Sequence, residues 1–310
     1  MAFPAVPNSF AERLLACPLC SGLSFRRLPT PGHWIGEDIF SGGAFGLCRC
    51  QKCSLVFVNP RPTQARLNTF YGAENYVCHS PDAGGDKTAR FLLERMAYYG
   101  PYQEMRFLDF GCGGGFLLRA AQDAGWSAFG HDIGKRALAS CKAQGLNVTN
   151  DLGQLALGHF DVVFLNHVFE HIAEPQGLLL SCRQLLAKDG KLFISVPNLA
   201  GLRARLSFRF LSQNFNIDER HRAFPIHLFY FTPRTLVKTL EKNGLRVVAV
   251  ETFGFGMDEF VNQPDASTNG SKVEADPKLT NGGRVFKQLA KRIFCGARLG
   301  ENLLVIAQST

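Results

Sequence analysis

The chain has 310 residues, 46% of them hydrophobic and 19% charged, with a formal net charge of +8. That length and balance suffice for one substantial core and a smaller appendage, and no stretch approaches the roughly 18 apolar residues of a membrane span. The N-terminus lacks the charged-then-apolar pattern of a secretion signal, so the expectation is a cytoplasmic protein whose ten cysteines are metal ligands or buried thiols rather than disulfides.

In chain order, the first feature is a pair of C-x2-C knuckles, Cys17-Pro-Leu-Cys20 and Cys50-Gln-Lys-Cys53, separated by 29 residues. Four thiolates so arranged can surround one tetrahedral zinc, although the gap exceeds that of an ordinary zinc ribbon. Cys48 competes with Cys50 for the third position, and the C-x2-C geometry favours Cys50. A closed set of four thiolates leaves no open coordination site, so this zinc is expected to be structural. Residues 1–60 thus read as a zinc-ribbon-like module and 61–87 as a linker or helical cover. Thr63 opens a helical pattern there whose Tyr71 and Tyr76 could reach a neighbouring pocket, with core packing as the default. Cys78, Cys112, Cys141, Cys182 and Cys295 have no evident partners and read as small buried or loop residues.

From residue 88 to the end, strand-like and helix-like runs alternate: strand 106–110, helix 116–124, strand 126–131, helix 135–144, strand 146–149 and strand 160–165. Gly125 and Gly145 follow the two helices as stop signals. Next come helix 175–187, a KDGK turn, strand 191–196, helix 233–243 begun by Thr232 and Pro233, strand 245–252 and a last strand NLLVIAQ. Such alternation implies a mostly parallel sheet covered by helices on both faces. Residues 199–231, with arginines interleaved among phenylalanines, read as a lid that could grip an anionic substrate or touch a membrane surface. Residues 254–283 read as a flexible insertion, followed by an amphipathic helix near 284–294. Lysines and arginines cluster at 203–222 and 284–298, which favours anionic partners. No motif supports nucleic acid.

The stretch FLDFGCGGGF, 107–116, puts Gly111, Gly113 and Gly115 between a strand and a helix. Glycine there lets the backbone approach a ligand beyond the carboxyl end of the sheet. The register is GxGxG followed by Phe116, which lacks the third glycine of the dinucleotide pattern. Asp109, two residues before the turn, would repel a pyrophosphate and attract a cation. Asp132 ends the second strand, 21 residues after Gly111, where a carboxylate accepts hydrogen bonds from ribose hydroxyls. Adenosine joined to a cationic group is S-adenosylmethionine.

DFGCGGGF, GHDI, Asp151-Leu152, FDVVFLNHVFEHI, KDGKLFISVPN and HLFYFTPRTLVKTLEKNGL together resemble the class I S-adenosylmethionine-dependent methyltransferases. The resemblance implies a Rossmann-like α/β fold with a seven-stranded sheet whose last strand is reversed. It also implies that Asp109, Gly111, Gly113 and Gly115 hold the methionine part, Asp132 with Ile133 the ribose, Asp151 and Leu152 the adenine edge, and Asn166 and His167 the methionine side. CPLC, CRCQKC and LVFVNPRP resemble the zinc-binding module that precedes bacterial sugar- and polysaccharide-associated methyltransferases.

Methyl transfer from a sulfonium requires alignment and, for a hydroxyl or carbon acid, removal of a proton. Glu170 and His171 follow the fourth strand directly, and His227 opens a segment returning to the same rim; histidine titrates in the useful range. The pair resembles that of bacterial deoxysugar C-methyltransferases, but Ile226 stands where those carry glutamate, so oxygen and carbon acceptors both stay open. The expected acceptor is a small molecule, a nucleotide-linked or polysaccharide-related sugar, with a quinone or other aromatic metabolite as the alternative. A zinc-ribbon binding protein with a vestigial methyltransferase fold is the reading from another class.

Overall fold

The computed structural model describes residues 11–30, 40, 44–72, 85–100, 104–202, 204–205, 223–254 and 298–310. The amphipathic helix expected at 284–294, most of the lid and of the insertion, Tyr76, Cys78 and Cys295 lie outside them. Along β6 (Arg106–Phe110) and β9 (Phe160–Asn166), apolar residues face both ways. Leu108, Phe110, Val163 and Leu165 join one apolar cluster, while Phe107, Val162 and Phe164 join another. That two-residue period makes a sheet buried on both faces. The first cluster takes in Leu179 and Cys182 from α5 (Pro175–Leu185) and Leu236 and Leu240 from α6 (Pro233–Lys242). The second takes in Leu92 and Met96 from α2 (Gly85–Tyr99) and Leu117 and Leu118 from α3 (Phe116–Asp123).

The sheet has seven strands among the described residues. Its order is β12 (Leu245–Phe253), β13 (Asn302–Ser309), β10 (Leu186–Pro197), β9, β6, β7 (Ser127–His131) and β8 (Val148–Thr149). β13 is antiparallel to both its neighbours, whereas β6 to β10 pair in parallel. The α/β class and the reversed last strand are as expected. The KDGK segment is not a turn between helix and strand: β10 begins at Leu186, and its register on β9 shifts between Leu186 and Lys191, with Asp189 at φ 64°. Pairing continues on both sides of this irregularity, a β-bulge in effect.

The cysteine-bearing sheet is antiparallel and has the order β2 (Phe25–Leu28), β3 (Leu47–Cys50), β4 (Val56–Val58), β11 (Phe229–Tyr230). Its fourth strand comes from the segment after Phe224, so the front of the chain and the rim of the large sheet are hydrogen-bonded together. Two further ties reinforce the junction. Arg61, which pairs with Glu12 across β1 (Ala11–Glu12) and β5 (Arg61–Pro62), donates to the Ala173 carbonyl at 2.8 Å. Lys242, at the end of α6, donates to the Leu19 carbonyl at 2.6 Å.

Candidate active site

The β6–α3 turn is built by left-handed backbone. Gly111, Gly113 and Gly115 have φ of 84°, 52° and 79°, values that L side chains rarely adopt. A Cβ on Gly111 would lie 2.3 Å from Val168 Cγ2, and one on Gly115 2.5 Å from Leu146 Cδ1. Asp132 braces the loop: its two carboxylate oxygens accept from the N–H groups of Gly113 at 2.8 Å and Gly134 at 2.7 Å. Each oxygen keeps a second lone pair for a ligand hydroxyl. Beneath the turn Asp109 is 2% exposed and its Oδ1 has no hydrogen-bond partner. Burial, with the neighbouring Asp132 charge, raises its pKa to about 7. An orphaned buried carboxylate beside a side-chain-free loop fits a cationic group.

The other cofactor-side residues are placed as follows. Ile133 is exposed beside Asp132. Asp151 is exposed and caps the short helix Leu152–Gln154 by accepting from Gly153 N–H at 2.9 Å, so its carboxylate already has a structural task. Asn166 ends β9 opposite Ser195 of β10, and His167 follows it and donates its N–H to the Ser195 backbone carbonyl. Ser195 Oγ is buried without a partner, a rim group that an isolated serine in SVPN did not advertise. Cys141 also has a role beyond filling space, since its thiol donates to Gly113 O at 3.3 Å.

Glu170, His171 and His227 come together, their ligand atoms all lying within 4.8 Å of one another. Leu228 N–H donates to Glu170 O and Val58 N–H to Leu228 O, so β4 and the turn after β9 hold His227 between them. The His171 and His227 rings are 4.6 Å apart. Glu170 is 1% exposed; neither carboxylate oxygen accepts a well-formed hydrogen bond, yet Oε1 lies 3.3 Å from His167 Nδ1 and 4.0 Å from His171 Nε2. Burial opposes its charge, but His167, His171 and His227 outweigh that and hold it at about 2. His171 moves below the ordinary imidazole value because burial opposes its cation more than Glu170 supports it. Its Nδ1 lies 2.9 Å from Tyr71 Oη and 3.1 Å from the Ile226 carbonyl. A carbonyl only accepts, so that contact puts the proton on Nδ1 and leaves the lone pair on Nε2. Tyr71, on α1 (Gln64–Gly72), therefore reaches the site instead of merely filling core.

Cys17, Cys20, Cys50 and Cys53 form a second cluster within 4.8 Å. Cys17 and Cys53 are 3.5 Å apart at sulfur, as are Cys20 and Cys50, close to the ~3.8 Å edge of a tetrahedron with 2.3 Å zinc–sulfur bonds. Burial pushes the Cys17 thiol up, while N–H groups of Cys20 and Leu19 oppose it. At Cys50 burial is overcome: N–H groups of Cys53 and Lys52, with neighbouring thiols, hold it at about 7, whereas burial raises Cys53 to about 11. The site fits a thiolate-bound metal. Cys48 stands apart, its thiol donating to Asn59 O at 3.5 Å.

Residues 85–250, more than half of the 310-residue chain, match the family described as methyltransferase domain. The chain belongs to that family. The methyltransferase match thus includes the glycine loop, Asp132, the histidine cluster and β11, and begins after α1 and the other three strands of the cysteine sheet. A relative in Parvibaculum lavamentivorans, named ubiquinone biosynthesis O-methyltransferase, is 34% identical over 120 residues, covering 36% of this chain and 47% of that protein. One of the same name in Pseudomonas aeruginosa is 33% identical over 103 residues, covering 30% and 44%. The methyltransferase chain thus spans less than half the length of each. Among solved structures, a SAM-dependent methyltransferase from Archaeoglobus fulgidus aligns with a TM-score of 0.48 at 21% identity, covering 72% of this chain and 93% of that one. Magnesium protoporphyrin IX methyltransferase from Synechocystis, with bound SAH, aligns at 0.44 and 16% identity, covering 76% and 91%.

Proposed function

We propose that this methyltransferase moves a methyl group from S-adenosylmethionine to a hydroxyl of a small acceptor, with the Glu170–His171–His227 cluster as its proton-accepting side. The observation that carries the reading is that cluster's position at the end of β9, beside the glycine turn over buried Asp109. When bound, S-adenosylmethionine supplies an electrophilic methyl carbon. Asp109 and the turn would hold its cationic end, Asp132 and Ile133 its ribose, Asp151 and Leu152 its adenine edge, and Asn166 and His167 its methionine side. His171 Nε2 offers a lone pair to the acceptor O–H, and Glu170 stabilises the imidazolium that results. The deprotonated acceptor oxygen would take the methyl carbon, and the sulfur would leave as a neutral thioether. Tyr71 and the Ile226 carbonyl keep the ring in this tautomer. The cysteine cluster would hold a structural zinc.

The relatives' names support an aromatic hydroxyl acceptor of the quinone-precursor type, in preference to the sugar expected from the sequence. The sugar reading is favoured by a separate observation, the attachment of the cysteine sheet to the His227 segment. The test is S-adenosylhomocysteine formation with a catechol-type acceptor and with a nucleoside-diphosphate sugar. A methylated aromatic product is expected; turnover of the sugar alone would reverse the order, and no cofactor binding at all would overturn the proposal.

A further inference from the structure

Glu170 is buried with both carboxylate oxygens outside any well-formed hydrogen bond. Its ion-pair neighbours among the described residues are imidazoles, not a lysine or an arginine. A buried anion in such a place is stabilised by any cation brought to it. One ligand atom from each of Glu170, His171 and His227 lies within 4.8 Å of the other two. His171 Nε2 is 4.0 Å from Glu170 Oε1, and a tetrahedral metal with ~2.05 Å bonds needs donors about 3.4 Å apart, so a small contraction closes the set. The donors are fixed by two segments. The turn Phe169–His171 carries Glu170 and His171 side by side, and Leu228 N–H, donating to Glu170 O, holds the His227 segment against it. The Ile226 carbonyl accepts from His171 Nδ1, the kind of outer hydrogen bond that orients a ligating histidine and leaves its Nε2 lone pair for a metal. The His171 side chain is 18% exposed, which leaves an approach from solvent.

We propose that Glu170, His171 and His227 form a second, exchangeable site for a divalent transition metal of the zinc, cobalt or nickel class, and that its occupancy switches turnover off. Two imidazoles and one carboxylate suit those ions, whereas magnesium and calcium take oxygen donors. Three such ligands hold zinc less firmly than four thiolates, so the site fills after the cysteine cluster and empties before it. A metal on His171 Nε2 occupies the lone pair that would take the acceptor proton; this consequence rests on the proposed function, and the binding itself does not. The untagged full chain carrying one equivalent of zinc, verified by elemental analysis, is titrated calorimetrically with further zinc, beside separate S-adenosylhomocysteine titrations. Wild type should take up one more equivalent. Glu170→Gln and His227→Gln should each weaken that uptake about tenfold or more while binding S-adenosylhomocysteine as wild type does. His159→Gln, which removes a histidine at the end of β9 away from the cluster, should bind the second zinc unchanged. Turnover of the catechol-type acceptor should fall in step with the second equivalent and recover on dilution. No second equivalent in wild type, equal loss in His159→Gln, or full turnover with the site filled overturns the inference. Absence of S-adenosylhomocysteine binding, or of turnover with either acceptor at one equivalent of zinc, counts instead against the proposed function.

Discussion

Gly111 shows how narrowly one position is constrained. Its φ of 84° and the 2.3 Å approach of Val168 Cγ2 to a notional Cβ act together, because Val168 is short and branched and sits in the turn leading to Glu170. Gly111→Ala should cost on the order of 2 kcal/mol or more in urea unfolding and abolish cofactor binding. Asp109 makes a pH prediction. A carboxyl held at about 7 in the fold against ~3.9 unfolded favours folding below pH 4 and loses that contribution as pH rises through 7. A cationic ligand favours the anion, so S-adenosylmethionine should bind more tightly as pH rises through 7 and release a proton below it. Calorimetry at pH 6 in two buffers of different ionisation enthalpy measures that release, and Asp109→Asn should remove it. For His171 the acid limb of kcat/KM should fall below the free-imidazole value of ~6.5, the direction burial sets. These loop residues were legible because their spacing along one strand and turn fixes their neighbours. Tyr71 was legible only as a tyrosine able to reach a neighbouring pocket, since a contact over 100 residues leaves no periodic trace, and nothing set Ser195 apart from its strand.

At the level of elements, local signals located most strands and helices from residue 106 onward, but not the 15-residue α2, nor the strands defined by distant partners. α6 is the clear case of a local rule: Thr232 accepts from Thr235 N–H at 3.2 Å, Thr235 Oγ1 accepts from Thr232 N–H at 2.9 Å, and Pro233 fills the first turn. Thr232→Val removes the cap hydroxyl at nearly constant volume and should cost about 1 kcal/mol, read as a lower unfolding midpoint. β11 is the opposite case. Phe229 and Tyr230 form a strand only because Phe57 and Val56 are there to pair with, so HLFYFT reads as irregular chain until the front sheet is known. The KDGK bulge is intermediate: its residues are turn formers, but β13 and β9 on either side keep the strand going.

For the whole molecule, the decisive fact is that the front sheet does not own a separate core. Val56, Phe57 and Val58 belong to the same buried cluster as Leu108, Val163, Ile194 and Leu236. Apolar surface on that face of the large sheet is covered partly by the cysteine module, and the knuckles hold the module's end, where Lys242 grips Leu19. A metal held by Cys17, Cys20, Cys50 and Cys53 would therefore stabilise more than its own loops. Stripping it with a chelator should lower the thermal midpoint by about 10 °C, corresponding to several kcal/mol for a chain of this size. The unfolding should remain one transition, because exposing one face of the shared cluster weakens the rest. Acceptor turnover should disappear at chelator concentrations that still leave cofactor binding measurable: β11 carries the His227 segment, whereas Asp109 and Asp132 hang from β6 and β7. Calorimetric scans showing two separated transitions, or an unchanged midpoint after metal removal verified by elemental analysis, would contradict the shared core as the route by which the cysteines act.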